Sequence, residues 1–131
     1  MSTSNDVVRE RGKVITLTAA KTLISADSTN TYILNAAAGA AITLPALEAG
    51  LKFKFIVGAL FATTDWTIVC PSAIGQGGAI VNSVFVPAAN ETTISIELGA
   101  DTIGDYLNIE CDGTNYYING VGAQAASITF A

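Results

Sequence analysis

Between Leu51 and Gly58 the chain reads LKFKFIVG. Leu51, Phe53, Phe55 and Val57 fall on one side of an extended backbone, and Lys52, Lys54 and Ile56 fall on the other. A period of two is the mark of a half-buried β-strand. The same alternation occurs in VITLT (Val14–Thr18), TYIL (Thr31–Leu34) and AITLP (Ala41–Pro45). It returns in DWTIVC, AIVNSVFV, TTISIEL, YLNIEC, YYING and SITF. PSAIGQGG, PAANE, GADTIGD and CDGT separate these runs with the residues that favour turns. In CDGT, Gly113 supplies the positive φ of a tight hairpin turn. Helix signals are few: the pieces around Ala46 to Lys52 allow one turn between Pro45 and Gly50, and the alanine run from Ala36 to Ala41 is interrupted by Gly39. No internal period is found, so a repeat solenoid is not expected. The pattern predicts an all-β protein, a single-domain β-sandwich (jelly-roll-like) or barrel of roughly 8–10 short strands. That domain is expected over 13–131, after an N-terminal arm over 1–12 that is polar, aperiodic and flexible on its own.

Composition adds a constraint on the surface. Of the 131 residues, 50% are hydrophobic and 13% charged, about half the charged share usual for a soluble domain. The surface must be built from Thr, Ser, Asn, Ala and Gly, or part of it must be buried against other molecules. A weakly charged surface left free is a solubility liability, so oligomerisation or docking onto a larger body is favoured. The net charge of −5 is unevenly placed: Arg9, Arg11, Lys13, Lys21, Lys52 and Lys54 all precede residue 55, and only acids follow. Phosphate backbones need clustered cations, so no nucleic acid is expected as a partner. The most apolar stretch, Ile33 to Leu51, is broken by Asn35, Pro45 and Glu48. It falls short of a span of about 20 apolar residues, and no membrane is expected either. No segment carries the order of a secretory signal, which points to synthesis in a cytoplasm.

Reactive chemistry is sparse. The chain has no histidine, which removes the commonest general base and nitrogen ligand. Cys70 and Cys111 close the runs WTIVC and LNIEC on the core-facing side, where free thiols act as small apolar residues. Asp101 and Asp105 lie in a glycine-containing turn, where Asp105 is expected to accept backbone N–H bonds; no calcium-loop motif surrounds them. GQGG (Gly75–Gly78) lacks the Lys-Ser/Thr of a phosphate loop and reads as a turn or bulge. No catalytic, cofactor-binding or metal-binding residue is assigned, and no cofactor is expected. Trp66 shares a strand face with Ile68 and Cys70 and is expected in the core, whereas Tyr116 and Tyr117 face opposite ways. In an extended arm, Arg9, Arg11 and Lys13 lie on one side. With Val7 and Val8 they form the candidate partner-binding segment, ordered on docking to an acidic surface.

The series TYILNAAAGAAITLPALEAGLKFKFIVG, DWTIVC and IGDYLNIECDGTNYYING resembles small all-β virion proteins of tailed bacteriophages. These include capsid decoration (cement) proteins and modules of tail fibres. The shared pattern is a strand ending in TLP, a glycine loop, an F-x-F strand and a late GDY…CDGTNYY hairpin, from about Thr31 to Ala131. The resemblance implies a β-sandwich, commonly homotrimeric, that binds the major capsid protein on the capsid surface of the virion and is not an enzyme. The alternative it implies is a tail-fibre or receptor-binding module that recognises a host surface glycan. Decoration is the expectation here, because the chain starts at Met1 and ends in SITFA without a fibrous flank.

Overall fold

The computed structural model describes residues 12–131. The expected arm, with Val7, Val8, Arg9 and Arg11, lies outside the described residues. The fold is an all-β sandwich of two mixed sheets, as the alternation predicts, and not a closed barrel. One sheet has seven strands in the order β1 (Val14–Leu17), β3 (Thr31–Leu34), β5 (Lys52–Val57), β10 (Tyr106–Cys111), β11 (Tyr116–Gly122), β7 (Gly75–Val81) and β8 (Val84–Glu91). The other has five: β12 (Ile128–Phe130), β9 (Thr93–Ile96), β6 (Trp66–Val69), β4 (Ala41–Thr43) and β2 (Lys21–Thr22). The only helical element among the described residues is a 3₁₀ turn at Ser25–Asp27 and not in the Ala46–Lys52 piece, to which it is tied by the Ser25 hydroxyl donating to Glu48 at 2.7 Å.

The connectivity departs from the antiparallel pattern of a jelly roll. From β1 to β6 the chain alternates between the sheets, and each strand lies parallel to the one two earlier. This winding is a flattened parallel coil, although no solenoid is expected from the sequence. The offsets are unequal: Val14 pairs with Thr31 and Thr31 with Lys54, whereas Lys21 pairs with Ile42 and Ile42 with Ile68. Turns of unequal length leave no sequence period to detect.

The second half closes the sheets with strands that pair antiparallel, except that β11 lies parallel to β7. AIVNSVFV is a hairpin rather than one strand, because Asn82 and Ser83 both take positive φ, at 49° and 66°. That is the two-residue turn whose twist matches the flanking strands. PAANE lies inside the edge strand β8. The tight turn makes Val81–Val84 a hydrogen-bonded pair and, by alternation, Gly78–Pro87 a non-bonded one, so the N–H that proline lacks falls on the open edge. The GQGG segment opens β7 with the expected bulge, a register shift between Gly75 and Gln76. Gly77 there has φ 114°, and a Cβ on it would lie 2.2 Å from the Ile118 carbonyl oxygen. Between β10 and β11 the loop runs Asp112–Asn115, with Gly113 at φ 93°.

Inward side chains line up across the strands. Ile15, Tyr32, Phe55 and Leu107 form one row in the larger sheet, and Phe53, Ile109 and Ile118 form another. Tyr32 and Phe55 stack with ring centroids 5.7 Å apart. From the smaller sheet come Ile42, Ile68 and Ile94, beside Trp66, Ile96 and Ile128. Most of these side chains are fully buried. Truncating a buried aromatic loses its transfer free energy and opens a cavity. Phe55→Ala is expected to cost about 3–5 kcal/mol, read as a lower denaturant midpoint at unchanged slope.

Candidate functional site

The buried groups that carry chemistry are occupied structurally. Asp101 and Asp105 are both buried. Asp101 accepts the N–H of Phe61 (2.8 Å) and of Gly99 (3.2 Å). Asp105 accepts those of Thr102 (3.0 Å) and Ala123 (3.1 Å), as the turn predicts. Burial pushes the Asp105 carboxyl above its usual value, and the charge of Asp101 adds to this, against the backbone N–H groups. No group of three or more potential metal ligands occurs among the described residues. Cys70 and Cys111 are free and buried, and burial pushes the Cys70 thiol up to about 11. Trp66 is fully buried, so it offers no surface for stacking.

The outward side chains of the two sheets differ. On the smaller sheet they form the rows Ala41, Thr67, Ser95, Thr129 and Thr22, Thr43, Val69, Thr93, flanked by Glu97, which accepts a hydrogen bond from the Thr129 hydroxyl. On the larger sheet, three rows cross the strands. One is apolar: Ile33, Ile56, Tyr106, Val121, Ile80 and Phe85. The next holds Thr31, Lys54, Asn108 and Asn119. The third holds Lys52, Glu110, Tyr117 and Gln76.

This face therefore has two ends of opposite character. At the end where β5 and β11 finish, Ile80, Val121 and Phe85 pair across the strands beside the hairpin residue Val84, and the loops that carry Leu60 and Ile103 leave the sheet at the same end. Val84 and Ile103 are more than 60% exposed, and Phe85 and Leu60 more than 50%. The ring of Phe85 lies over Gly78, which has no side chain to displace it. A depression of about 260 Å³ runs through this end. At the other end, two depressions of about 200 and 350 Å³ share Asn108 and Glu110. Tyr117 is 45% exposed there, while Tyr116 is fully buried and donates to the Pro45 carbonyl at 2.8 Å.

Tyr117 is held by its turn. Its hydroxyl donates to Asp112 Oδ2 at 3.0 Å, and Asp112 Oδ1 accepts the N–H groups of Thr114 (2.8 Å) and Asn115 (2.9 Å). The backbone bonds from Asn115 and Thr114 hold the Asp112 carboxyl below its usual value. Of the five candidate partner-binding residues, the structure describes Lys13 alone. Its N–H donates to Asn30 Oδ1 at 3.0 Å, and its carbonyl accepts from Thr31. This fastens Lys13 to the edge of the larger sheet, beside Asn30, which lines the depression of about 200 Å³ at the polar end. The exposed apolar end is not legible in the sequence, because Tyr106, Val121 and Ile80 become neighbours only through strand order. The chain matches no protein-family model, no curated protein and no solved structure. No helix among the described residues is long and apolar enough to cross a membrane.

Two carboxylates impose opposite pH slopes. A depressed folded pKa gives stability that is present above the usual value of 3.8 and lost on acidification, as for Asp112. A raised one gives stability that is present below 3.8 and lost as pH rises through the folded value, as for Asp105. The stability of wild type relative to Asp112→Asn should therefore grow with rising pH, and relative to Asp105→Asn it should shrink, read from urea midpoints across the acid range. Cys70 and Cys111 should resist a thiol reagent at neutral pH until the protein is unfolded, because both are buried and Cys70 ionises only near 11.

Proposed function

We propose that this protein is a non-enzymatic structural protein of a phage virion, which decorates and stabilises the capsid exterior by binding the major capsid protein as a homo-oligomer. The observation that carries this reading is the exposed apolar end of the larger sheet, where Ile80, Val84, Phe85 and Val121 adjoin and the loops of the exposed Leu60 and Ile103 leave the sheet. Contiguous exposed apolar surface of this kind marks a protein-interaction site. Stabilisation by decoration needs no chemistry. Each subunit adds apolar contact worth about 25 cal/mol per Å², less the cost of association. Attachment through several subunits multiplies weak single contacts.

Copy number in purified particles tests this reading: roughly hundreds of copies per virion are expected, because contact with every capsomer requires many. A few copies would assign the protein to a tail. Val84→Lys and Ile103→Lys sit on exposed side chains and should change folding stability by no more than about 0.5 kcal/mol. Both should nevertheless abolish association with empty shells in co-sedimentation. Shell binding that survives both substitutions would overturn the assignment of this end as the contact. Native mass spectrometry is expected to show a trimer.

A further inference from the structure

The opposite end of the same outer face is built differently. Lys54, Asn108 and Asn119 stand in one row across β5, β10 and β11, and Lys52, Glu110 and Tyr117 stand in the next. The depressions of about 200 and 350 Å³ adjoin at Asn108 and Glu110, one reaching the two lysines and the other Tyr117 and Asn119, and together they make the groove. Its parts are fixed before any ligand arrives. They rise from three hydrogen-bonded strands, Tyr117 is tied to Asp112, and Asn108 Nδ2 donates to Asn119 Oδ1 at 3.3 Å. That bond leaves the Asn108 carbonyl as an acceptor and the Asn119 amide as a donor. A half-exposed aromatic ring beside paired amides and a carboxylate suits a sugar. The ring covers the C–H face of a pyranose, and the polar groups read its hydroxyls. Prior fixation of these groups lowers the ordering cost of binding.

The lysines decide which sugar. The chain carries a net charge of −5, and only Lys13, Lys21, Lys52 and Lys54 are cationic among the described residues. Two of these four line this groove. Glu110 lies directly opposite Lys52 and offsets its charge, whereas Lys54 faces Asn108 and holds its ammonium 5.2 Å from the centroid of the Tyr106 ring. Two cations with an intervening carboxylate cannot neutralise a run of phosphates, but one ammonium suits one carboxylate. We propose that this groove binds an acidic oligosaccharide of at least two residues. One pyranose lies on Tyr117 within reach of Asn108 and Asn119, and the carboxylate of its neighbour meets Lys54. Tyr117 and Lys54 stand two strand spacings apart and one row apart along the strands, about 12 Å, a distance that one sugar ring does not cover. This inference is independent of shell docking, which uses the other end of the face.

The test is equilibrium titration of the full-length protein with uronic-acid and sialic-acid oligosaccharides, each paired with its carboxyl-reduced, neutral counterpart. Binding of an acidic member is expected, weakened by about tenfold or more on carboxyl reduction and on Lys54→Met. Tyr117→Ala should abolish it, and Tyr117→Phe, which keeps the ring, should largely retain it. Circular dichroism and native mass should be unchanged in all three variants. Failure of every acidic oligosaccharide to bind at millimolar concentration would overturn the proposal. So would equal binding of the reduced sugars, or binding indifferent to Lys54→Met and Tyr117→Ala. Protection of Lys54 and Tyr117 from labelling in the sugar-free oligomer would give this surface to a second copy and also overturn it. Copy number on the particle would stand unaffected by any of these results.

Discussion

The fold depends on side chains from two sheets meeting in one interior. The described residues contain no disulfide and no cluster of metal ligands, so burial of apolar surface carries the stability. That burial requires every long strand to keep its alternation. Where β5 sends Phe53, Phe55 and Val57 inward, β10 answers with Leu107 and Ile109, and β6 faces them with Trp66 and Ile68. A shift of one residue in any strand would turn its whole apolar set toward water. The winding of the first half adds to this constraint. Each new strand is laid beside one already placed, so the rows Ile15–Tyr32–Phe55 and Leu17–Leu34–Val57 build the core step by step.

Because the interior takes the large apolar residues, the outside is free to differ from region to region. The smaller sheet is sheathed in hydroxyls. The larger sheet is divided along its strands, apolar where β5 ends and polar where it begins. Low charge is therefore spread over three distinct surfaces. One is apolar and suited to a protein, one is polar and grooved, and one is lined mainly by hydroxyls. The proposed shell contact and the proposed saccharide groove lie toward opposite ends of one sheet and adjoin at Asn119, which lines depressions at both.

Much of this was legible in the sequence, because a period of two is a local property. The strands β1, β3, β4, β5, β10 and β11 follow their runs closely, as does the placement of Trp66, Cys70 and Cys111 in the core. The hairpin at Gly113 also fixes which tyrosine is buried. Cys111 faces inward, and a loop with an even number of residues returns the chain with Tyr116 on the same side, as its pairing with Cys111 shows. The failures are of two kinds. Asn82 and Ser83 make a two-residue turn without glycine, so a turn signal inside an apolar run was read as strand. Strand order was the other failure: parallel neighbours are brought together by connections of unequal length, and no local pattern records which strands become adjacent. The exposed end and the groove both arise from that order. Both were therefore invisible until Lys54, Asn108 and Asn119, or Ile80 and Phe85, stood side by side.

Pro87 has a bearing on crowding. Strands at the margin of a sheet invite other chains to zip onto them, and a molecule gathered at high density on one surface runs that risk constantly. With its missing donor turned outward on β8, Pro87 interrupts the backbone template that fibril growth would copy. Copies packed against one another at this margin are restricted to side-chain contact, which can be undone, and are kept from a shared cross-β spine, which rarely is.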